Sequence, residues 1–408
     1  MAEVVLFEEL ACDNQLKIGV VTLNSPRSLN ALSGEMIDLV LPQLSQWKAK
    51  ADIVAVFIQG EGEKAFCAGG DIVHMYNAMT QGRSAHEQND LLVQENYTPE
   101  RLAKLANTAN GSGKIEAYFT KEYQLDYLIH TFEKPFIVWG NGIVMGGGLG
   151  LMVGGSHRIV TENSRIAMPE TGIGLYPDVG ASYFLNKMKP GVGLFLGLTG
   201  ASINAMDALY SKLADNFVEH RLKSDFVKAL TQLPFALNDE STNEQALKAN
   251  HDVITQLIHQ LEKTSQVFLD ANPIESQLRL NQNTIEKLTS YENLSEIIDA
   301  IKAEKTTNKW FIKAQQALSR GSALSAQITF KQLDLGKTMS LSECFKMELG
   351  LSVRSGQFGE FSEGVRALLI DKDNKPAWRF ADVASVEPSV IEWFFENLWP
   401  EDESPLGF

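Results

Sequence analysis

Along the first 200 residues, short apolar runs alternate with stretches in which apolar residues recur at helical spacing. The apolar runs lie at 4–7, 18–23, 53–58 and 136–139, and the helical patterns lie at 33–50 and 123–132. The turn-forming pair Asp13-Asn14 separates the first two runs, which therefore predict a β-hairpin. The later order of strand, helix and strand predicts an α/β fold with a largely parallel sheet.

Beyond residue 200 the pattern becomes helical. Apolar residues between 294 and 301 fall at i, i+3, i+4 and i+7, which is typical of a helix with one apolar face. Residues 80–113 are polar and end in turn formers, so we expect an exposed insertion there. We predict an α/β core over 1–200 that carries this insertion, a mainly helical region over 201–380, and a C-terminal helix with an acidic tail over 381–408.

Charge and cysteine content exclude several classes of protein. The 408 residues include 36 Lys and Arg against 51 Asp and Glu, a formal net charge of −15, which argues against nucleic acid as the main partner. No apolar stretch reaches the roughly 18 residues of a membrane span, so we expect no membrane partner. The acidic start is typical of a strand and not of a signal or transit peptide. Three widely separated cysteines fit a reducing compartment, so we expect a cytoplasmic location.

Glycines are concentrated in the centre of the chain. Of 31 glycines, 15 lie between Gly140 and Gly200, and none lies between 201 and 320. The G-x-G-x-x-G spacing of dinucleotide-binding proteins is missing from this centre, and the P-loop motif is missing from the chain. The segment Gly180-Ala181-Ser182 begins like a serine-hydrolase elbow but lacks the closing glycine, and the histidines form no metal-binding pattern. The candidate chemistry is therefore left to carboxylates and backbone amides.

Two glycine turns each follow an apolar run and precede a predicted helix. Residues 66–71 (FCAGGD) come after the run at 53–58, and residues 145–150 (MGGGLG) come after the run at 136–139. Backbone N–H groups point outward at helix N-termini, where partial positive charge accumulates. Two such turns side by side have the geometry that stabilises an oxyanion developing on a carbonyl. The alternative is that these glycines only permit tight packing of helix on sheet.

Two acids stand eight residues apart in a later glycine-containing loop. Glu170 and Asp178 have apolar neighbours in sequence and no Lys or Arg nearby to pair with. Burial among apolar groups raises the pKa of a carboxyl and suits it to general acid or base chemistry near neutral pH. The alternative is that both are ordinary capping or loop acids.

These segments together resemble the enoyl-CoA hydratase/isomerase (crotonase) family, and the longer pattern resembles its 3-hydroxyisobutyryl-CoA hydrolase branch. The superfamily features are Ala68-Gly69-Gly70-Asp71 and Met145-Gly146-Gly147-Gly148, and the branch features are MPE at 168–170, PDVG at 177–180, EGVRA at 363–367 and DKD at 371–373. The resemblance runs from the first hairpin to about residue 380. It implies a crotonase-like fold of repeated ββα units followed by a helical C-terminal region.

The resemblance also implies roles for individual residues. The amides of Gly70 and Gly147 would form an oxyanion hole for a CoA thioester, and Glu170 and Asp178 would be the catalytic carboxylates. Glu122 would contact the hydroxyl of the acyl group, with an exposed helix acid as the alternative for this residue. The further substrate-binding positions are Ala68, Gly69, Asp71 and Gly146.

Gly150 occupies the position at which hydratases of this family carry a second catalytic Glu, so the resemblance implies acyl transfer to water and not hydration. The expected reaction is hydrolysis of 3-hydroxyisobutyryl-CoA to 3-hydroxyisobutyrate and CoA, a step of valine catabolism. The resemblance implies no metal and no cofactor beyond the CoA of the substrate, and it is compatible with a homo-oligomer. The alternatives are a hydratase or isomerase of the same family, and a non-catalytic binding protein of the kind recruited to ribosomes.

Overall fold

The computed structural model describes residues 3–13, 15–80, 97–98, 100–103, 112–237, 243–400 and 403–408. The chain divides into two compact units: the first comprises Met1–Gly70, Gln124–Ile166 and Ser202–Leu280, and the second comprises Asp71–Tyr123, Ala167–Ala201 and Asn281–Phe408. Most of the predicted insertion at 80–113 and part of the predicted acidic tail lie outside the described residues. The predicted division into 1–200, 201–380 and 381–408 stays a prediction.

The strands form two sheets. They are β1 (Val5–Ala11), β2 (Lys17–Leu23), β3 (Ile53–Gly60), β4 (Ala65–Cys67), β5 (Phe136–Gly140), β6 (Ile143–Met145), β7 (His157–Val160), β8 (Arg165–Ala167) and β9 (Asn216–Phe217). The larger sheet has the order β1-β2-β3-β5-β7-β9, and the smaller has the order β4-β6-β8. β1 and β2 are antiparallel with Val5 opposite Leu23, whereas the other pairs of the larger sheet are parallel. The predicted hairpin and largely parallel sheet are confirmed.

The larger sheet forms the core of the first unit because its middle strand is apolar on both faces. Every residue of β3 except Gln59 is buried, as expected of a parallel strand that is covered on both sides. Phe57 and Trp139 pack in one cluster with Phe226 and Ile258 from the helices that follow residue 220. Burial of each Phe in such a cluster contributes about 1.5–3 kcal/mol, so this contact fixes the helices against the sheet.

Helices occur between the strands and dominate after residue 200. They are α1 (Gly34–Ala49), α2 (Ile72–Thr80), α3 (Ser112–His130), α4 (Gly147–Val153), α5 (Ala181–Phe184), α6 (Val192–Thr199), α7 (Ala205–Ser211), α8 (Lys223–Leu230), α9 (Asn243–Ala271), α10 (Gln277–Leu288), α11 (Leu294–Ala303), α12 (Lys309–Arg320), α13 (Ala323–Gly336), α14 (Leu341–Phe358), α15 (Glu360–Val365) and α16 (Pro388–Phe394). The predicted helical region is confirmed, and the buried face of α11 consists of Leu294, Ile297, Ile298 and Ile301. None of the helices in the described ranges is long and apolar enough to cross a membrane.

One arginine of the second unit binds the acidic side chains of the segment at 363–373, which resembles the hydrolase branch. Arg366 donates two hydrogen bonds of 2.8 Å to the carboxylate of Glu363. It also donates to Asp371 at 2.5 Å and to Asp373 at 2.9 Å. The planar guanidinium suits such forked recognition of carboxylates. Glu363 also accepts a hydrogen bond of 2.7 Å from the backbone N–H of Ala377. These ion pairs and hydrogen bonds hold the loop that follows against α15.

Candidate active site

Two glycine turns lie side by side in the first unit, each at the end of a short strand. β4 and β6 are parallel neighbours, with Ala65 opposite Ile143 and Cys67 opposite Val144. Each turn begins where its strand ends, so both turns leave the same edge of the smaller sheet. The hypothesis that backbone amides of both turns stabilise one oxyanion requires the turns to be neighbours in this way. The short strands β4 and β6 were not predicted, because the sequence pattern placed the turns only after the apolar runs at 53–58 and 136–139.

Close approach of the two turns requires glycine at two positions. Gly69 has a φ of +106°, and a Cβ atom there would lie 3.2 Å from the carbonyl oxygen of Met145. A Cβ atom on Gly148 would lie 2.2 Å from the carbonyl oxygen of Cys67, far inside van der Waals contact. Helix α4 therefore packs directly on the backbone of the first turn, and a side chain at Gly148 would push the two apart.

The amides of Gly70 and Gly147 are oriented by contacts that do not use their own N–H groups. Leu32 forms a parallel bridge with Gly70, in which the Leu32 N–H donates to the carbonyl oxygen of Gly69 at 2.7 Å. Gly147 begins α4, and the first N–H groups of a helix have no partner within it. No acceptor within the described ranges is hydrogen bonded to either N–H. Both N–H groups therefore have no acceptor in that set, and their role as an oxyanion hole stays a prediction.

The other predicted binding positions near these turns have structural roles. The N–H of Ala68 donates to the carbonyl oxygen of Leu29 at 3.0 Å, which anchors the first turn. Gly146 caps the start of α4 with a φ of 49°. In the second unit, the Asp71 carboxylate accepts a hydrogen bond of 3.0 Å from the His74 N–H and so caps α2. Contact of these residues with a substrate stays a prediction.

The second unit brings the three predicted acids together in its interior. Glu122 on α3, Glu170 at the start of a 3₁₀ turn and Asp178 just before α5 are 2%, 4% and 4% exposed. Burial raises the pKa of Glu122 and of Glu170 well above the usual range, and the charge of Asp178 raises both further. The exposed-acid alternative for Glu122 is therefore wrong. In the part of the chain that the structure describes, no three His, Cys, Asp or Glu side chains are arranged to hold a metal ion.

Glu170 and Asp178 have different surroundings within this cluster. The Oε2 atom of Glu170 is buried without a hydrogen-bond partner among the described residues. Asp178 is hydrogen bonded through Oδ2 to the hydroxyl of Tyr123 at 2.7 Å. Burial raises the pKa of Asp178 to about 6, and the hydrogen bonds from Tyr123 and from its own backbone amide oppose that rise. The two acids are thus suited to different roles.

Backbone contacts hold the acid-bearing loop on α15. Gly174 has a φ of +71°, and a Cβ atom there would lie 2.3 Å from the carbonyl oxygen of Glu360. A Cβ atom on Gly364 would lie 2.3 Å from the backbone of Ile173, so loop and helix meet with no side chain between them. Val179 has a φ of 54°, a left-handed conformation that β-branched residues avoid. Such strain persists only where surrounding contacts enforce it, as it commonly does at functional sites.

Helix α14 supplies polar partners that the sequence analysis missed. The carboxylate of Glu348 accepts hydrogen bonds of 2.7 and 2.8 Å from the backbone N–H groups of Gly180 and Ser182, at the start of α5. One helical turn later, Ser352 lies within 2.7 Å of two buried tyrosine hydroxyls. Glu and Ser usually lie on the exposed face of a helix, so the sequence did not indicate that Glu348 and Ser352 are buried hydrogen-bond partners.

We expect Glu348→Gln to change how stability depends on pH. Burial raises the pKa of Glu348 from 4.5 to about 8, although the hydrogen bonds from Ser182 and Gly180 oppose the rise. Between these two values the folded protein retains a proton that the unfolded chain releases, so the free energy of unfolding of the parent falls as pH rises. Gln does not titrate, so the parent should lose stability relative to the variant by up to about 1.4 kcal/mol per pH unit. Urea unfolding of both proteins from about pH 5 to pH 8 measures this difference, and parallel curves would contradict it.

Comparison with known proteins identifies the family of the chain. The enoyl-CoA hydratase/isomerase family matches residues 18–395. The mitochondrial 3-hydroxyisobutyryl-CoA hydrolase of Danio rerio is 36% identical over 400 residues, which cover 98% of this chain and 91% of that protein. The small ribosomal subunit protein mS47 of Neurospora crassa is 32% identical over 96% of this chain and 72% of that protein.

A solved structure of known fold also matches this chain. The crystal structure of an enoyl-CoA hydratase from Rhodobacter sphaeroides matches with a TM-score of 0.76 at 29% identity, over 97% of this chain and 98% of that one. The predicted crotonase-like fold is therefore confirmed. Since the family match and the relatives all extend over nearly the whole length, the chain belongs to the enoyl-CoA hydratase/isomerase family.

Proposed function

We propose that this protein hydrolyses a short-chain 3-hydroxyacyl-CoA thioester, with 3-hydroxyisobutyryl-CoA as the substrate and 3-hydroxyisobutyrate and CoA as products. The observation that carries the proposal is the buried cluster of Glu122, Glu170 and Asp178 in the second unit. The Danio rerio relative named for this reaction, which matches nearly the full length of both chains, supports the choice of substrate. The CoA arrives with the substrate, so the reaction needs no resident cofactor.

The amides of Gly70 and Gly147 bind the thioester oxygen in this proposal. Negative charge grows on that oxygen when the carbonyl carbon is attacked, and two preorganised N–H donors stabilise it. Loss of one donor of this kind typically lowers kcat by about 10²–10³-fold, so the oxyanion hole is a large contributor to the rate.

Glu170 delivers the attack, either as the nucleophile or as the base that activates water. Direct attack on the thioester carbon gives a mixed anhydride, and base catalysis gives the product in one addition. A single turnover in ¹⁸O-labelled water, followed by mass analysis of the peptide that contains Glu170, separates the two routes. Label in Glu170 supports the anhydride, and its absence favours attack by water.

Glu122 is the proposed partner of the 3-hydroxyl group of the substrate. Steady-state rates for (S)-3-hydroxyisobutyryl-CoA, 3-hydroxypropionyl-CoA and a plain acyl-CoA test this role. We expect the 3-hydroxy substrates to have the higher kcat/KM and Glu122→Gln to reduce that preference. Equal rates for all three substrates in the parent protein would contradict it.

Hydration of enoyl-CoA is the second candidate, because the solved Rhodobacter sphaeroides structure carries that name. Addition of water across a C=C bond in this family uses two glutamates, and this chain has Gly150, buried in α4, at one of those positions. We therefore expect hydrolysis of (S)-3-hydroxyisobutyryl-CoA to exceed hydration of crotonyl-CoA by a wide margin. The reverse order of rates would overturn the hydrolase proposal.

A binding role at the ribosome is favoured by one relative, the Neurospora crassa mS47 protein. The net charge of −15 and the buried acid cluster both oppose it. Strong, salt-sensitive binding to ribosomal RNA together with no thioesterase activity would support this role. The cytoplasmic location and the oligomeric state stay predictions.

A further inference from the structure

Three buried hydroxyl groups connect Asp178 to the backbone of α14. The hydroxyl of Tyr123 lies 2.7 Å from Oδ2 of Asp178 and 2.6 Å from Oγ of Ser352. Oγ of Ser352 lies 2.7 Å from the hydroxyl of Tyr176, which donates to the carbonyl oxygen of Glu348 at 2.5 Å. Every distance in this series, which we call the hydroxyl chain, is that of a hydrogen bond between oxygens.

The hydroxyl chain contains one more link than it has hydrogens of its own. Four oxygen–oxygen links must be filled, and the hydroxyls of Tyr123, Ser352 and Tyr176 supply three hydrogens. The far end is a backbone carbonyl, which only accepts. The fourth hydrogen must therefore enter from the other end, which is Asp178.

The two protonation states of Asp178 thus differ in how many links are filled. If Asp178 is ionised, one link brings two oxygens within 2.7 Å with no hydrogen between them, which is repulsive. If Asp178 is neutral, its O–H donates to Tyr123, which donates to Ser352, which donates to Tyr176. All four links are then filled in one direction, and links in such a series strengthen one another.

We propose that the hydroxyl chain keeps the proton on Asp178 in the resting enzyme, and that Ser352 and Tyr176 are positioning residues that prepare Asp178 to act as the acid. The use of that proton rests on the proposed hydrolase function. The hydrogen bond that holds the pKa of Asp178 down exists only when Tyr123 turns away from Ser352. With Tyr123 turned toward Ser352, only the hydrogen bond from the backbone amide of Asp178 still opposes the rise in pKa that burial causes.

The neighbouring acids fit this assignment. The titratable groups that face Asp178 are Glu122 and Tyr123 from α3, Glu170 and Tyr176 from the acid-bearing loop, and Glu348 from α14. None of them is a cation, so no positive charge in this set stabilises an ionised Asp178, and only a hydrogen bond donated by Tyr123 would favour that form. Burial is the main cause of the raised pKa of Glu170, and a neutral Asp178 removes the repulsion that adds to it, so ionisation of Glu170 for its attack becomes easier.

The proton is used when the thioester breaks. As the C–S bond cleaves, its electron pair goes to sulfur, and the proton of Asp178 leaves the link to Tyr123 and goes to the same sulfur, which releases CoA as the thiol. The water consumed in the reaction then returns one proton to Asp178, and its remaining OH becomes part of the product acid. Each turnover therefore restores the filled hydroxyl chain.

Variants of the chain should change the pKa of Asp178 in opposite directions. In Ser352→Ala, the hydroxyl of Tyr123 loses its acceptor and can donate to ionised Asp178. In Tyr176→Phe, the hydroxyl of Ser352 loses its acceptor and can donate to Tyr123, so that the hydrogen of Tyr123 is again free to stabilise ionised Asp178. Both should move the titration of Asp178 to lower pH by about one unit or more, the effect of one hydrogen bond to a charged group. Tyr123→Phe leaves a buried Asp178 with no hydroxyl beside it and should move the titration upward.

Infrared titration of the carboxylic acid band that is absent in Asp178→Asn measures this pKa directly. The basic limb of the kcat/KM profile provides a second measurement. Ser355→Ala is the matched control, because Ser355 lies on the same helix, is buried, and donates only to the carbonyl oxygen of Leu351 at 2.8 Å. We expect it to titrate like the parent.

Failure of the proposal and failure of the proposed function give different results. If Ser352→Ala and Tyr176→Phe lower kcat but leave the titration of Asp178 where it is in the parent, the chain is merely structural and the proposal is overturned. The infrared titration needs no substrate, so a parent protein that hydrolyses no 3-hydroxyacyl-CoA would overturn the proposed function and still leave the hydroxyl chain testable.

Discussion

Replacing Glu170 with Gln should lower kcat for thioester hydrolysis by about 10³-fold or more, with little change in KM. Gln has the same shape but can neither attack the thioester carbon nor take a proton from water. The Oε2 atom that it alters has no hydrogen-bond partner among the described residues, so no contact within that set is lost. Removal of a buried charge should also leave the free energy of unfolding equal or higher at neutral pH.

Steady-state kinetics and urea unfolding of the Glu170→Gln protein test both parts of this expectation. Glu122→Gln is the matched control, since Glu122 is the same residue type with similar burial in the same cluster. It should raise KM for 3-hydroxy substrates and lower kcat far less. A correctly folded Glu170→Gln protein with undiminished hydrolysis would remove Glu170 from the mechanism.

Replacing Gly148 with Ala should abolish most activity by disturbing the two glycine turns. Its Cβ atom would lie 2.2 Å from the carbonyl oxygen of Cys67, so α4 and the first glycine turn must separate. The amides of Gly70 and Gly147 would then no longer converge on one oxygen. We expect kcat to fall by about 10²-fold or more, since loss of a single donor already has that effect. The free energy of unfolding should fall by about 1–3 kcal/mol from overpacking.

Gly350→Ala is the control for this experiment. Gly350 also lies inside a helix, but a Cβ atom there would have no heavy atom within 4 Å beyond its own surroundings in the chain. Ala is favoured over Gly in a helix by about 0.5–1 kcal/mol, so this variant should match or exceed the parent in stability and keep its activity. If both variants lost activity equally, the special role of the close contact at Gly148 would be wrong.

The sequence predicted the larger elements because their patterns are long. β3 is a continuous run of apolar residues and α11 repeats the helical period along one face, and both patterns are long enough to be recognised. The strands β4, β6 and β8 escaped because three residues contain no measurable period. Their pairing depends on long-range contacts, and those are what bring the two glycine turns together.

Some residues of the candidate site were likewise predicted from the sequence and others were not. Glu170 and Asp178 stood out because acids among apolar neighbours are unusual, and Glu122 came from the family resemblance. Glu348 and Ser352 could not be found, because a polar residue in a helical pattern ordinarily lies on the solvent side. Their role follows from tertiary structure that buries the whole stretch from 348 to 358.

The hydrogen bond from Gly180 to Glu348 joins residues that are 168 positions apart. During synthesis from the N-terminus, the loop that carries Glu170 and Asp178 is made long before α14 and α15. Until those helices arrive, the loop with its buried acids and strained Val179 lacks the contacts with Glu348 and with the backbone of α15. We therefore expect a chain that stops before Leu341 to be inactive however well its earlier sheet forms. Catalytic competence in this protein therefore depends on helices that are synthesised more than 150 residues after the acids they support.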